Sequence, residues 1–383
     1  VIHFDIQKTR ELIYGNWSKE TFDRYGKKNH PLVIKSGLKG VIGNKKVDII
    51  IGGPPCQAYS IAGRAQDKHS MKNDYRNYLF ESFIKVVDAF LPDVFVFENV
   101  PGILSACPGD ILVTERIHKA FQESGYKILE PKDLPSATFT ASDFGVPQKR
   151  NRVIIIGVKH SSEINLNSIY DNIKRQTANT KKETVKEAIG HLPKITPLSE
   201  AKHENGKNIS HLSTDTTDKL HSPRFHNHRD VSIFKYWVAN NMNSMKSVEK
   251  IKFYNDLTGK KSNHGKYRNL EWGKPSPTVV AHLHKDGLMF IHPDAEQARS
   301  ITVREAALLQ SFPKDYEFIG SQGTCYKMIG NAVPPKMAKG IANGIFEVLT
   351  RKNSAFSGFI GPNGATIGEP LIDDEGIVYA EID

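Results

Sequence analysis

Residues 47–51 form a mostly apolar, β-branched run (Val-Asp-Ile-Ile-Ile) that stops at Gly52-Gly53-Pro54-Pro55 and leads directly into Cys56 and Gln57. A run of this kind that ends in glycines and prolines reads as a buried strand breaking into a sharp loop. Open α/β sheets place their chemistry at the carboxyl ends of strands, so Cys56 stands at the mouth of one. The loop fixes the direction of the thiol and leaves little side chain to crowd a substrate, which suits a nucleophile. The competing reading is a small buried apolar residue, a common fate of a free cysteine.

The surrounding pattern supports an α/β protein. Residues 78–91 carry apolar side chains at helical spacing (Leu79, Phe83, Val86, Val87, Phe90), and residues 94–97 read as a second buried strand. Residues 114–124 read as a helix stopped by Gly125, and residues 152–158 as another buried strand. Strands alternating with helices predict a parallel sheet covered on both faces. From about 159 to 267 the chain turns polar, which predicts a smaller lobe or long insertion. The α/β texture resumes near Leu270. Thr302, with Glu305 three residues later, predicts a capped helix over 302–312, and a last helix is expected over 335–350.

Composition narrows the function. The 383 residues carry a formal charge of +10, which suits a polyanionic partner, nucleic acid first. The three cysteines, Cys56, Cys107 and Cys325, are far apart and form no CxxC pair, so neither a disulfide framework nor a zinc site is expected. No run approaches the length of a membrane span, and the N-terminus lacks a signal pattern. A reducing, intracellular compartment is the simplest expectation.

Further chemistry gathers at predicted strand ends and turns. Glu98-Asn99-Val100 follows the strand at 94–97, where a carboxylate is costly without a role or partner. Gln148-Lys149-Arg150-Asn151-Arg152 enters a strand, so Gln148, Arg150 and Arg152 are expected to share one face. Arginines in such a row suit phosphates or base edges; the alternative is a solvated charge run. Residues 268–278 form a stiff, polar-ended turn, and Gly330-Asn331-Ala332-Val333-Pro334-Pro335 a tight turn into the last helix.

In this order the segments resemble the DNA (cytosine-5)-methyltransferase family: 53–57, 76–80, 98–100, 148–152, 268–278, 302–306 and 330–335, spanning about residues 16–349. The resemblance implies a Rossmann-like α/β sheet that uses S-adenosylmethionine, with a smaller target-recognition lobe. It implies Cys56 as the thiolate adding to cytosine C6 and Glu98 as the holder of N3 and the exocyclic amine. Arg150 and Arg152 would contact the base O2 or adjacent phosphates and brace the cysteine loop. Trp17, Pro55, Leu79, Asn331, Ala332 and Val333 match cofactor positions. Gln57, Ser60, Asn99, Gln148, Arg268 and Thr278 match positions on the base or DNA side. The expected partner is double-stranded DNA with its target base flipped out. The expected setting is a monomer without metal, in the cytoplasm of a bacterium and on its nucleoid, within a restriction–modification system. The expected division is 1–175 catalytic, 176–266 target recognition, 267–350 catalytic again, and 351–383 a tail.

Three features depart from the family pattern. Its opening strand and glycine-rich loop have no match in residues 1–15, so the sheet is expected to lack its first strand and to expose an edge. Asn16 stands where an acid meets the cofactor ribose, and Gly37-Leu38 where an aspartate meets the adenine amine. Residues 358–383 read as a hairpin resembling the terminal hairpin of nitrilase-type hydrolases, whose catalytic residues have no counterpart here. These departures leave a second reading open, a DNA-binding relative with a defective cofactor site. Methylation of transfer RNA, the habit of one branch of the family, is a third.

Overall fold

The apolar runs become a mixed sheet with helices packed on it. The computed structural model describes residues 2–54, 79–353 and 380–381, except the single positions 109, 179, 205 and 286. The chain divides into two compact units, one drawn from residues 1–139, 151–174 and 344–383, the other from 140–150 and 175–343. Cys56, with Pro55, Gln57 and Ser60, lies outside the described residues, as does most of the tail.

The first unit opens with β1 (Ile2–His3), α1 (Thr9–Tyr14), α2 (Lys19–Tyr25) and α3 (Pro31–Ile42). Next come β2 (Ile49–Gly52), α4 (Leu79–Phe90), β3 (Val94–Asn99), α5 (Val113–Glu123) and β4 (Tyr126–Lys127). β5 (Thr138–Thr140) comes next and, after β6 (Gln148–Lys149) of the second unit, β7 (Asn151–Lys159) and α6 (Leu166–Ala178) follow. The sheet order is β2-β3-β7-β4, with β5 also on β7. β2 and β3 are parallel, Gly52 opposite Phe97. β3 and β7 are antiparallel, Glu98 opposite Ile154. The all-parallel expectation therefore needs correction. Parallel neighbours require a crossover, and the path from β3 through α5, β4 and β5 instead returns the chain in the opposite direction.

The sheet's interior explains two glycines. Phe95 stacks on Phe121 at 4.1 Å and meets Phe83 edge-on at 5.9 Å. A Cβ on Gly52 would stand 2.5 Å from the Phe83 ring, and one on Gly157 would stand 2.1 Å from Phe95. At the other side, β2 has no second neighbour among the described residues. Ile49 and Ile51 on it are 40 % and 68 % exposed, an edge strand without a charged guard of its own.

The second unit holds α7 (Val185–Ile189), the ribbon β8 (Ile195–Glu204) and β9 (Lys207–Ser213), α8 (His228–Ala239) and α9 (Ser247–Thr258). It continues through β10 (Ser276–Pro277), which pairs with β6, then α10 (Val303–Leu309) and α11 (Gln322–Asn331). α12 (Pro335–Asn353) follows, and β11 (Ala380–Glu381), of the first unit, pairs with β1. Residues 267–343 cluster with the polar lobe rather than with the sheet. The reason is one hydrophobic cluster, in which Val185 and Ile189 of α7 join Leu270, Val279, Leu309 and Ile329.

The predicted cap on α10 is present. Thr302 accepts from the Glu305 backbone N–H, and the Glu305 carboxylate accepts from the Thr302 N–H. That carboxylate is fully buried and also takes a two-pronged bond from Arg299, at 2.6 and 2.7 Å. Burial alone would raise its pKa, but the Arg299 guanidinium more than offsets this and holds it at about 2.

The ribbon is rooted by histidines. His211 Nε2 lies 3.1 Å from the Gln297 carbonyl, and the Ser210 hydroxyl lies 2.9 Å from His211 Nδ1 and accepts from the His226 N–H. His226 Nε2 accepts from the Ser300 N–H at 3.2 Å. Burial pushes His211 down to about 4 and His226 to about 3, with Arg299 nearby adding to both, so each is neutral at pH 7.

Candidate active site

In the first unit the site forms where β2 and β3 end side by side. Glu98, the fifth residue of β3, ion-pairs with Arg152 on the neighbouring β7, Nε to Oε1 at 2.5 Å. Their side chains are 20 % and 11 % exposed, so the pair is largely screened from solvent yet reachable. The Arg152 Nη1 also donates to the Asn151 carbonyl, which fixes the plane of the guanidinium. The carboxylate lies against the chain leaving β2. A Cβ on Gly53 would fall 2.9 Å from Glu98 Oε2, so a larger residue there would push the carboxylate aside. Asn99 is buried at 1 % exposure, donates to the Pro54 carbonyl at 3.4 Å and accepts from the Val100 N–H. Its observed work is to tie the end of β3 to the loop that runs on to Cys56.

The cofactor candidates of this unit sit in a hydrophobic cluster. Leu79 is buried with Ile2, Phe4 and Leu12, and Trp17 packs against them. The Trp17 ring lies 4.5 Å from Phe4, and its indole N–H donates to the Glu11 carbonyl at 3.0 Å. Gly37, which replaces the expected aspartate, has a structural reason. Its φ is +60°, and a Cβ there would stand 2.5 Å from the Gly15 nitrogen and the Ile13 carbonyl. The kink in α3 thus packs backbone to backbone on the segment before Asn16, and the Asn16 N–H donates to the Lys35 carbonyl.

Along residues 148–152 burial alternates: Gln148 and Arg150 are buried, Lys149 and Asn151 are exposed, and the Arg152 side chain is largely covered, as the expected row requires. In the second unit Gln148 and Arg150 spend that burial on partners within the protein. Gln148 is fully buried; its amide NH₂ donates to Gln310 Oε1 and its oxygen accepts from the Val279 N–H. Arg150 is 2 % exposed and donates to the carbonyls of Val279 and Gly330, each at 3.0 Å. It thereby braces the turn that carries Asn331, Ala332 and Val333. That turn is also pinned by Gln310, which donates to the carbonyls of Ile329 and Ala332 at 2.8 Å. A Cβ on Gly330 would lie 2.3 Å from the Ala281 nitrogen. Asn331 is exposed, and its carboxamide makes no hydrogen bond among the described residues. Thr278 donates to the Lys149 carbonyl at 2.9 Å, and Arg268 is exposed.

Three functional supports went unread in the sequence: the Arg299–Glu305 pair, Gln310 under the 330–335 turn, and the histidine root of the ribbon. Arg299 and Gln310 carry no local signal, because their partners are set by long-range packing. The ribbon had one, Asn205-Gly206 between two polar runs, a common hairpin turn pair. Among the described residues no group of three or more His, Cys, Asp or Glu could hold a metal ion.

The first unit is thus a Rossmann-like α/β sheet with a carboxylate–arginine pair at its strand ends. A candidate DNA modification methyltransferase encoded within an E. coli prophage has a similar solved structure, with a TM-score of 0.55 at 24% identity over 82% of each chain. The profile of the C-5 cytosine-specific DNA methylases matches residues 10–347, and the chain belongs to that family. It is 38% identical over 332 residues to the type II methyltransferase M.Bpa9945I of Bacillus paralicheniformis, covering 79% of this chain and 71% of that one. With M1.HphI of Haemophilus parahaemolyticus the identity is 32% over 311 residues, 81% and 71% covered. With M.DdeI of Desulfomicrobium norvegicum it is 33% over 322 residues, 78% and 72% covered.

Proposed function

We propose that the chain transfers a methyl group from S-adenosylmethionine to C5 of a flipped cytosine in a specific duplex sequence. The observation that carries this is the Glu98–Arg152 pair at the carboxyl ends of parallel strands, against the Gly53-Pro54 loop that leads to Cys56. Cytosine C5 is a poor nucleophile. Addition of the Cys56 thiolate to C6 forms a sulfur–carbon bond and moves the ring's electron pair toward C5. Glu98 holds N3 and the exocyclic amine, where a proton stabilises the charge that builds on the ring. Arg152 holds Glu98 in place. Loss of the C5 proton to a base then expels the thiolate and restores aromaticity.

The cofactor fits in part. Trp17 and Leu79 offer an apolar surface, and Asn331 an open carboxamide on a braced turn. The ribose acid is replaced by Asn16, and Gly37 is committed to backbone packing. Trp17, Pro55, Leu79, Asn331, Ala332 and Val333 are the residues that would hold S-adenosylmethionine, which supplies an electrophilic methyl group when bound. Losing two polar contacts weakens that binding by roughly 2–5 kcal/mol.

Residues 176–266 would choose the target sequence, with Arg268, Thr278, Gln57 and Ser60 on the DNA side. Asn99 and Gln148 would act from beneath, holding the loop and the turn. We place the protein as a monomer on the bacterial nucleoid, in a restriction–modification system like those implied by its type II relatives. No helix among the described residues is long and apolar enough to cross a membrane.

The test is expression in a bacterium free of cytosine methylation, followed by bisulfite mapping of its DNA. The reading predicts methylated cytosines within one recurring sequence. An unmethylated genome in cells that contain folded protein would refute it.

A further inference from the structure

α10 carries a buried amide at its end. Gln310 follows Leu309 as the helix C-cap, its backbone N–H donates to the Ala306 and Ala307 carbonyls, and its side chain is fully buried. The start of the same helix is fixed by the Arg299–Glu305 pair, so the amide is delivered from an element held at both ends. Both hydrogens of its NH₂ go to one turn, to the carbonyls of Ile329 and Ala332 at 2.8 Å. Asn331, between those two residues, is exposed.

The amide has one possible orientation. The Val279 N–H donates to Gln148 Oε1, so the Gln148 NH₂ faces away from Val279 and donates to the Leu309 carbonyl and to Gln310 Oε1. Gln310 therefore offers its oxygen to Gln148 and its NH₂ to the turn. Reversing either amide would set donor against donor. A buried network in which every amide hydrogen is used rigidifies what it holds.

We infer that Gln310 is a positioning residue for the cofactor: from beneath, it holds residues 329–332 in the conformation that presents Asn331, Ala332 and Val333, and so sets the affinity for S-adenosylmethionine. The inference rests on the cofactor reading of that turn proposed above. A turn free to leave this conformation binds more weakly in proportion to the time it spends elsewhere. The bound state is the same, so the rate at saturating cofactor is retained.

The experiment uses the full chain, with methyl transfer to duplex DNA at varied S-adenosylmethionine and calorimetric titration of S-adenosylmethionine without DNA. Gln310→Met keeps the length of the side chain and removes its donors. The KM and Kd for S-adenosylmethionine should rise roughly 5- to 150-fold, the worth of two ordinary hydrogen bonds, while kcat stays within about twofold. Gln310→Glu keeps the shape and the bond from Gln148 but loses the NH₂; it should shift both constants in the same direction, and it decides the matter if the methionine variant does not fold. Gln297→Met is the structural control. That buried amide accepts from the Ile195 N–H and from Arg299 in the same unit, so its loss should lower the urea midpoint and leave both constants unchanged. Unchanged constants in folded Gln310 variants, a loss confined to kcat, or an equal rise in Gln297→Met would overturn the inference. A wild-type chain that binds no S-adenosylmethionine would overturn it together with the cofactor reading. A chain whose cofactor affinity depends on Gln310 but which methylates no cytosine would sink the proposed function and leave the inference standing.

Discussion

Removing the Arg152 guanidinium should cost activity through Glu98 rather than through stability. In Arg152→Ala the Glu98 carboxylate loses a charge-assisted bond at 2.5 Å, in a site where the two side chains are 11 % and 20 % exposed. Such a bond is worth about 1.5–3 kcal/mol. At about 1.4 kcal/mol per factor of ten, kcat/KM should fall roughly 10- to 150-fold. Glu98→Ala removes the group proposed to hold the base and should fall further, on the order of 10²–10⁴. The cycle of the two single variants and the double variant decides the mechanism. If Arg152 works only by holding Glu98, then removing it in the Glu98→Ala background should cost less than about threefold, a strongly non-additive result. The assay is single-turnover transfer of a labelled methyl to duplex DNA, with urea unfolding as a control. Full additivity of the two losses would refute the positioning role. So would a Glu98→Ala variant with wild-type activity.

Other consequences follow from the same contacts. Arg150→Met strands two buried carbonyls, Val279 and Gly330, and should destabilise the fold by about 2–6 kcal/mol in urea titration; a loss below about 1 kcal/mol would contradict the bracing role. Gly37→Ala places a Cβ 2.5 Å from the Gly15 nitrogen in a left-handed backbone, so it should lower stability by at least about 1–3 kcal/mol and broaden the amide spectrum of the first unit. His211 and His226 are held neutral by burial, with folded pKa values of about 4 and about 3 against 6.5 unfolded. Below pH 6.5 the unfolded chain therefore binds more protons, and stability falls as the pH drops. Going from pH 7 to about 5 should cost on the order of 2 kcal/mol per histidine, and a flat urea midpoint over that range would contradict it.

What the sequence disclosed was local. β-branched runs marked β2, β3 and β7 to within a residue or two; β3 and β7 are buried as such runs suggest, whereas β2 is an exposed edge and not the buried strand expected. The capping pair Thr302 and Glu305 was equally plain. Direction was not: nothing in residues 151–159 says that β7 runs against β3. The inward turn of Gln148 and Arg150 was also hidden, since a row of polar residues looks the same whether it faces water or backbone carbonyls. Gly37 shows the reverse case. As a departure from a family pattern it suggested a defect, yet the structure gives it a packing role that an aspartate could not fill. The polar lobe gave least away, because its ribbon and helical hairpin are fixed by histidines and aromatics whose partners lie far along the chain.

The central claim is that Cys56 attacks cytosine while Glu98 holds the ring. A duplex library containing 5-fluorocytosine tests it directly, because fluorine at C5 cannot leave as a proton does and the sulfur–carbon bond persists. After incubation with S-adenosylmethionine, intact-protein and peptide mass spectrometry should find a covalent DNA adduct on Cys56, absent in Cys56→Ala and much reduced in Glu98→Ala. A wild-type chain that binds the duplex and methylates ordinary cytosine, yet forms no adduct or forms one elsewhere, would contradict the account.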